Sequence, residues 1–173
     1  EENQKELDRI NGLFAKVEGV IKAKASLEDS LQKKPMFENL EKIDKFNQYW
    51  HITITPYEKE IEPNVPSVDE VLESFKYLSK KLGKENVTLR YDPIFINEKY
   101  TLGKHVESFE YIINSLSGYT TVAIISFIDL YEKTKRNFPK AREVTKDERL
   151  KLGEEFARIG NENNIKIKNN IYL

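Results

Sequence analysis

The stretch SVDEVLESFKYLSKKLGKENVTLRYD, Ser67 to Asp92, reads as a helix that hands over to a strand. Ser67-Val68-Asp69-Glu70 has capping-box spacing, in which a hydroxyl and a carboxylate three residues apart satisfy each other's backbone N–H groups. Val71, Leu72, Phe75, Leu78 and Leu82 then recur at intervals of three and four, which places them on one helix face. Gly83 stands where a positive-φ residue ends such a helix. Past it, Val87, Leu89 and Tyr91 alternate with Thr88, Arg90 and Asp92, the period of two that defines a strand. Upstream, Tyr49 to Thr55 is a second β-branched and aromatic run. The order is therefore strand, helix, strand, a βαβ unit whose crossover makes the two strands parallel.

The same plan extends outward. Val106, Phe109, Ile112, Ile113 and Leu116, followed by Gly118, predict a second helix. Thr145-Lys146-Asp147-Glu148 repeats the capping box ahead of Leu152, Phe156 and Ile159, and Gly160 is expected to stop that helix. Thr121–Phe127 and Ile165–Ile171 read as strands. A short helix is expected after Pro35, with Met36, Phe37, Leu40 and Ile43 on its buried side. Nearer the N-terminus, Leu7, Ile10, Phe14, Val17 and Ile21 fit a helical seam, while Val17 to Ala25 also reads as a strand. Helix to about Ala15 and strand beyond is the preferred division.

Strands recur every roughly 35–45 residues, as in a parallel α/β sheet. The fold class is accordingly α/β, a single domain over residues 1–173 with four to five parallel strands. Each strand is apolar on one parity only: Trp50, Ile52 and Ile54 oppose His51, Thr53 and Thr55. A sheet covered by helices on both faces would be apolar on both. The pattern fits a partial or incomplete (βα)-barrel, with helices outside and a polar lumen at the strands' carboxyl ends, or an open sheet with one solvated face.

Composition narrows the function classes. With 39% hydrophobic and 33% charged residues the chain has a globular profile. Its 28 basic and 29 acidic residues leave no global charge to attract a polyanion or a membrane surface, so a charged site has to be local. No cysteine is present, which removes disulfides, thiolate metal sites and cysteine nucleophiles. No apolar run approaches bilayer-spanning length and the first residues are polar, so the cytoplasm is the expected compartment. The chain begins with Glu1 rather than Met, as a processed product or an excised piece of something longer would.

Arg90 and Asp92 share a face at the end of a strand, where barrel and doubly wound folds place ligand groups. Arg90 offers a two-pronged fork to carboxylate or phosphate, and Asp92 is placed to hold it; an internal ion pair is the competing account. Thr53, Thr55, Ser126 and Asp129 complete the candidate ligand-binding set. The segment Lys133 to Arg142 holds five basic residues and Phe138, and Lys133, Lys135 and Arg136 are the candidates for phosphate or nucleic-acid contact. His51 and His105 are too few for a conventional zinc site without Glu60 or Glu62, so no metal site is expected. The acidic loop Glu58-Lys59-Glu60-Ile61-Glu62 reads as solvated surface. No Gly-rich phosphate loop, serine elbow or paired-His helix appears, so no complete catalytic constellation is legible.

A series of motifs in order carries a family resemblance: Lys34-Pro35-Met36, Ile54-Thr55-Pro56-Tyr57, Ile61-Glu62-Pro63-Asn64-Val65-Pro66, Arg90-Tyr91-Asp92-Pro93-Ile94, Ser117-Gly118-Tyr119, and Ile125 through Asn137. With these the chain resembles the uncharacterised bacterial domain-of-unknown-function family 1848, relatives of radical-SAM enzymes of the spore photoproduct lyase type. The resemblance covers residues 33–170 and makes 33–173 a family-like core after a divergent segment, 1–32. It implies a barrel-like fold. The family's cysteine-rich C-terminal segment has no counterpart here, so no cofactor is expected in this chain, and S-adenosylmethionine with an iron–sulfur cluster only in a longer cysteine-bearing one.

Three functions are consistent with these residues. The first is a barrel core that binds a small anionic or nucleotide-like ligand at its strand ends. The second is an interaction or oligomerisation module, pairing through a sheet edge or the N-terminal seam with another copy. The third is nucleic-acid binding through the basic loop.

Overall fold

The computed structural model describes residues 39–128 and 141–169, together with Lys5, Arg9, Ile10, Gly12, Leu13, Lys16, Val17, Phe37 and Arg136. The chain divides into two compact units, residues 1–47 and 48–173. In the first, Lys5, Arg9, Ile10, Gly12, Leu13, Lys16 and Val17 are all helical. Lys16 and Val17, beyond the expected end of the helix at about Ala15, are helical, so Val17 does not start a strand; residues 18–25, the rest of the expected strand, lie outside the described residues. Phe37 is helical and buried, and Leu40–Ile43 forms one 3₁₀ turn with Leu40 buried. Ile43, expected on the buried side with Leu40, is exposed.

The second unit alternates strand and helix: β1 (Trp50–Thr53), α1 (Val68–Leu82), β2 (Val87–Ile94), α2 (Leu102–Ser115), β3 (Val122–Phe127), α3 (Lys146–Glu162) and β4 (Lys166–Asn169). Among the described residues the strands form one parallel sheet in the order β1-β2-β3-β4. The α/β class and the parallel sheet read from the sequence are what the chain adopts. Ser67 and Thr145 each accept from the backbone N–H three residues on, while Glu70 and Glu148 accept from the backbone N–H of Ser67 and Thr145. Both capping boxes are complete. Gly83 and Gly118 take φ of +93° and +82° in the turns after α1 and α2, values that a side chain disfavours.

Strand order that advances in one direction, with crossovers of one hand, puts every helix on the same face of the sheet. The contacts agree. Tyr91 of β2 meets Phe109 of α2 and Phe156 of α3 edge-on at 5.2 and 5.6 Å, and those two rings stack at 3.9 Å. Tyr111 of α2 donates to Asp69 of α1 at 2.5 Å. Beneath the helices lie Val87, Leu89, Tyr91, Ala123 and Ile125, all buried. The opposite parity carries His51, Thr53, Arg90, Asp92 and Ser126, which are exposed or half-buried, and Lys166 and Lys168, which are exposed. This polar parity positions the candidate site.

Gly160 does not stop α3. The helix runs to Glu162 and ends where Asn164 takes a φ of +57°. Gly160 is buried instead because a Cβ there would stand 2.6 Å from the Ile165 carbonyl oxygen and 2.7 Å from the Ile167 side chain. Its bareness lets α3 lie against the segment leading into β4. Gly153, in the same helix, has open space at its Cβ. Gly160→Ala is therefore expected to destabilise, since overpacking costs about 1–3 kcal/mol. Gly153→Ala should stabilise by about 1 kcal/mol through helix propensity alone. Urea midpoints of the two variants check the opposite signs.

Candidate functional site

Arg90 lies on the inner strand β2, with Thr53 of β1 and Ile124 of β3 as its register partners. Two residues further on the pairing slips: Tyr91 pairs Ile125 but Ile94 pairs Phe127, so Asp92 and Pro93 stand together against Ser126. Proline lacks the N–H that a ladder needs, and a bulge is where an interior strand tolerates it. The Asp92–Pro93 peptide is cis. Asp92 receives a hydrogen bond from Nη2 of Arg90, and the two side chains are 19% and 35% exposed. Nε of Arg90 is buried and has no hydrogen-bond partner among the described residues. The site thus presents a half-exposed guanidinium, held at one terminal nitrogen by Asp92, whose Nε is buried and without a partner among the described residues.

Thr53 is exposed beside Arg90 and Ser126 is half-buried opposite Asp92. Thr55 is not on the open face. β1 ends at Thr53, and Thr55 is 6% exposed with its hydroxyl donating to Glu62 at 2.7 Å. Both threonines line a cavity of about 380 Å³ at the carboxyl end of β1, together with Glu58, Glu60, Glu62 and Val71. The acidic loop is solvated surface as read, with Glu58, Lys59 and Glu60 exposed, and it also borders that cavity. Lys99 bonds Glu58 at 3.0 Å and Glu60 at 2.9 Å, and these carboxylates hold its ammonium above the usual lysine range.

Asp129, Lys133 and Lys135 lie outside the described residues. Arg136 is helical and exposed. Arg142, the last cation of that basic segment, is occupied: both its terminal nitrogens bond Glu148, at 2.7 and 2.6 Å. Arg142 and the Thr145 backbone N–H lower the Glu148 carboxyl to about 2. The histidines sit on different elements. His51 is exposed on β1, edge-on to the Tyr49 ring at 5.1 Å, while His105 is fully buried in α2. Among the described residues no group of three or more His, Asp or Glu is arranged to hold a metal ion.

A buried hydrogen-bonded chain behind the site had no sequence signal. Tyr57, from the loop after β1, donates its hydroxyl to the Pro93 carbonyl at 2.7 Å and accepts from the Phe95 N–H at 3.2 Å. It thereby satisfies two backbone groups beside the bulge. His105 Nε2 lies 2.8 Å from the Phe95 carbonyl and Nδ1 lies 2.9 Å from the Tyr91 hydroxyl. A carbonyl only accepts, so Nε2 carries the hydrogen and Nδ1 accepts from Tyr91. Burial lowers the His105 pKa, and burial raises those of Tyr57 and Tyr91. Tyr57 also stacks on Phe95 at 4.4 Å and meets Tyr100 edge-on at 4.8 Å. A tyrosine after a proline in an irregular loop has no periodicity to mark it, so only its proximity to β2 reveals the role.

Tyr57→Phe keeps the ring contacts and strands the Pro93 carbonyl and the Phe95 N–H, so a loss of about 1–3 kcal/mol is expected in urea unfolding. For His105 the folded pKa lies below the unfolded value of about 6.5, so the neutral ring stabilises the fold above that pH. That stability is lost as pH falls from about 6.5 toward the folded pKa. His105→Gln still donates and accepts but does not titrate. The difference between wild type and His105→Gln in thermal midpoint should therefore be constant above neutrality and shift against the wild type on acidification.

No curated protein and no solved structure matches this chain. A family match spans residues 28–170, from before the first unit's 3₁₀ turn to the end of the sheet. On that span the chain belongs to the family described as Domain of unknown function (DUF1848).

Proposed function

We propose that the carboxyl-terminal end of the open sheet face binds a small anionic or nucleotide-like ligand, with Arg90 as its anchor. The observation that carries this reading is the Arg90 guanidinium itself. It is held on one side by Asp92, remains 35% exposed, and keeps a buried Nε with no partner among the described residues. An unsatisfied buried donor costs about 1–3 kcal/mol, so Nε marks a guanidinium that the chain's own described groups leave incompletely satisfied. Thr53 and Ser126 flank the fork with hydroxyls that donate to the same ligand. The setting also supports it, because parallel α/β folds gather ligands at the carboxyl ends of their strands. Asp129 follows β3 at this same end in the sequence and belongs to the proposed set.

A relation to radical-SAM enzymes would supply no chemistry to this reading. An iron–sulfur cluster needs thiolate ligands, and with no cysteine the residues of this chain do not fit one. Arg90, Thr53 and Ser126 orient a ligand; among the described residues neither hydroxyl is paired with a base that would make it react. Nucleic acid is the weaker alternative, since Arg142 of the basic segment is already engaged by Glu148.

Calorimetric titration of the full chain with inorganic phosphate and with adenosine monophosphate tests the proposal. At least one is expected to bind, and Arg90→Ala should weaken it at least about tenfold, or ~1.4 kcal/mol. The thermal midpoint of the unliganded variant should stay near the wild-type value. Saturable binding that survives Arg90→Ala would move the site elsewhere. No binding, together with a large loss of stability in Arg90→Ala, would reduce Arg90 and Asp92 to an internal ion pair.

A further inference from the structure

We infer, building on the reading of Arg90 as an anchor, that the ligand of this sheet face carries a second anionic group, held by Lys168 and Lys166 of β4. The strand register places these residues. Arg90 of β2 pairs with Ile124 of β3, and Ile124 pairs with Lys168. Thr53 of β1 lies on the other side of Arg90. The four make one row across all four strands, and register partners in a parallel sheet point to the same face. Two inter-strand steps of about 4.8 Å set the Cα atoms of Arg90 and Lys168 roughly 10 Å apart. Lys166 stands two residues earlier on β4, opposite Val122, and so shares that face.

Charge on this face is one-sided. The strands place Arg90, Lys166 and Lys168 on it against the single carboxylate of Asp92, and that carboxylate is engaged by Arg90. Neither lysine makes an ion pair among the described residues. Elsewhere in the sheet unit cations sit with acids, as Lys99 does with Glu58, Arg142 with Glu148 and Arg158 with Glu155. In a chain of 28 basic and 29 acidic residues this excess is local, and a local positive field is what concentrates an anion.

Between the two cationic ends the face is apolar. Ile124 and Val122, both half-buried, lie on the strand that separates Arg90 from the lysines. The complementary molecule has an anionic group at each end and a body that rests on aliphatic side chains. A nucleoside bisphosphate has that layout, whereas a monophosphate satisfies one end alone. Lysine suits the outer position, because its four-carbon stem carries a point charge to the ligand, while the Arg90 fork is already fixed by Asp92.

Calorimetric titration of the full chain with adenosine 3′,5′-bisphosphate, set beside adenosine monophosphate, tests this. The bisphosphate is expected to bind about tenfold more tightly. Lys166→Gln/Lys168→Gln should erase that advantage and leave monophosphate affinity within about twofold, while Lys166→Arg/Lys168→Arg should keep it. Both lysines are exposed, so the thermal midpoint is expected to hold in each variant. Arg90-dependent monophosphate binding with no gain for the bisphosphate would overturn the second anionic group and leave the Arg90 site standing. So would a gain that survives the glutamine pair; self-association of that variant would then assign the lysines to guarding the β4 edge. No binding of either nucleotide would overturn both readings.

Discussion

The Tyr57 hydroxyl, lodged between the Pro93 carbonyl and the Phe95 N–H, is the contact on which the sheet unit's polar end depends. β2 loses its regular ladder where Asp92 and Pro93 stand against Ser126. Buried backbone groups left open there would each cost about 1–3 kcal/mol. Tyr57 satisfies two of them, and the chain continues from Phe95 through His105 to the Tyr91 hydroxyl. A loop after β1, the bulge in β2 and the first turns of α2 are thereby joined by directional bonds in a setting where water does not compete.

The two faces of the sheet are held differently. Toward the helices, Tyr91, Phe109 and Phe156 pack ring against ring, and Gly160 lets α3 approach the segment leading into β4. These contacts are non-directional and account for cohesion. On the other face Arg90, Asp92 and Ser126 are half-buried and Thr53 is exposed. Charge on that face is partly balanced by the Arg90–Asp92 pair, and Nε of Arg90 is buried without a partner among the described residues.

Much of this was legible before any coordinate was known. The capping boxes at Ser67 and Thr145 act as read, because a hydroxyl and a carboxylate three residues apart meet within a single turn. Alternation along β2 correctly assigned Leu89 and Tyr91 to the buried face and Arg90 and Asp92 to the open one, since a strand's geometry sends every second side chain the same way. The Arg90–Asp92 pair follows from that same two-residue period.

The residues that resisted reading share a physical cause. Thr55 was placed on the open face by continuing β1's alternation, yet the strand ends at Thr53 and the hydroxyl turns inward to Glu62. Gly160 resembled a stop signal, but its role is set by Ile165 and Ile167 after the next turn. Tyr57 and His105 acquire theirs from β2, and Tyr57 lies 36 and 38 residues from the two backbone groups it satisfies. The amino-acid sequence by itself determined the elements, their caps and the parity of each strand, because those depend on interactions within a few residues along the chain. Only the tertiary structure decided which loop closes on the bulge, which glycine admits a neighbouring segment and which prong of Arg90 stays open, because each is settled by a group that is distant in sequence and near only after folding.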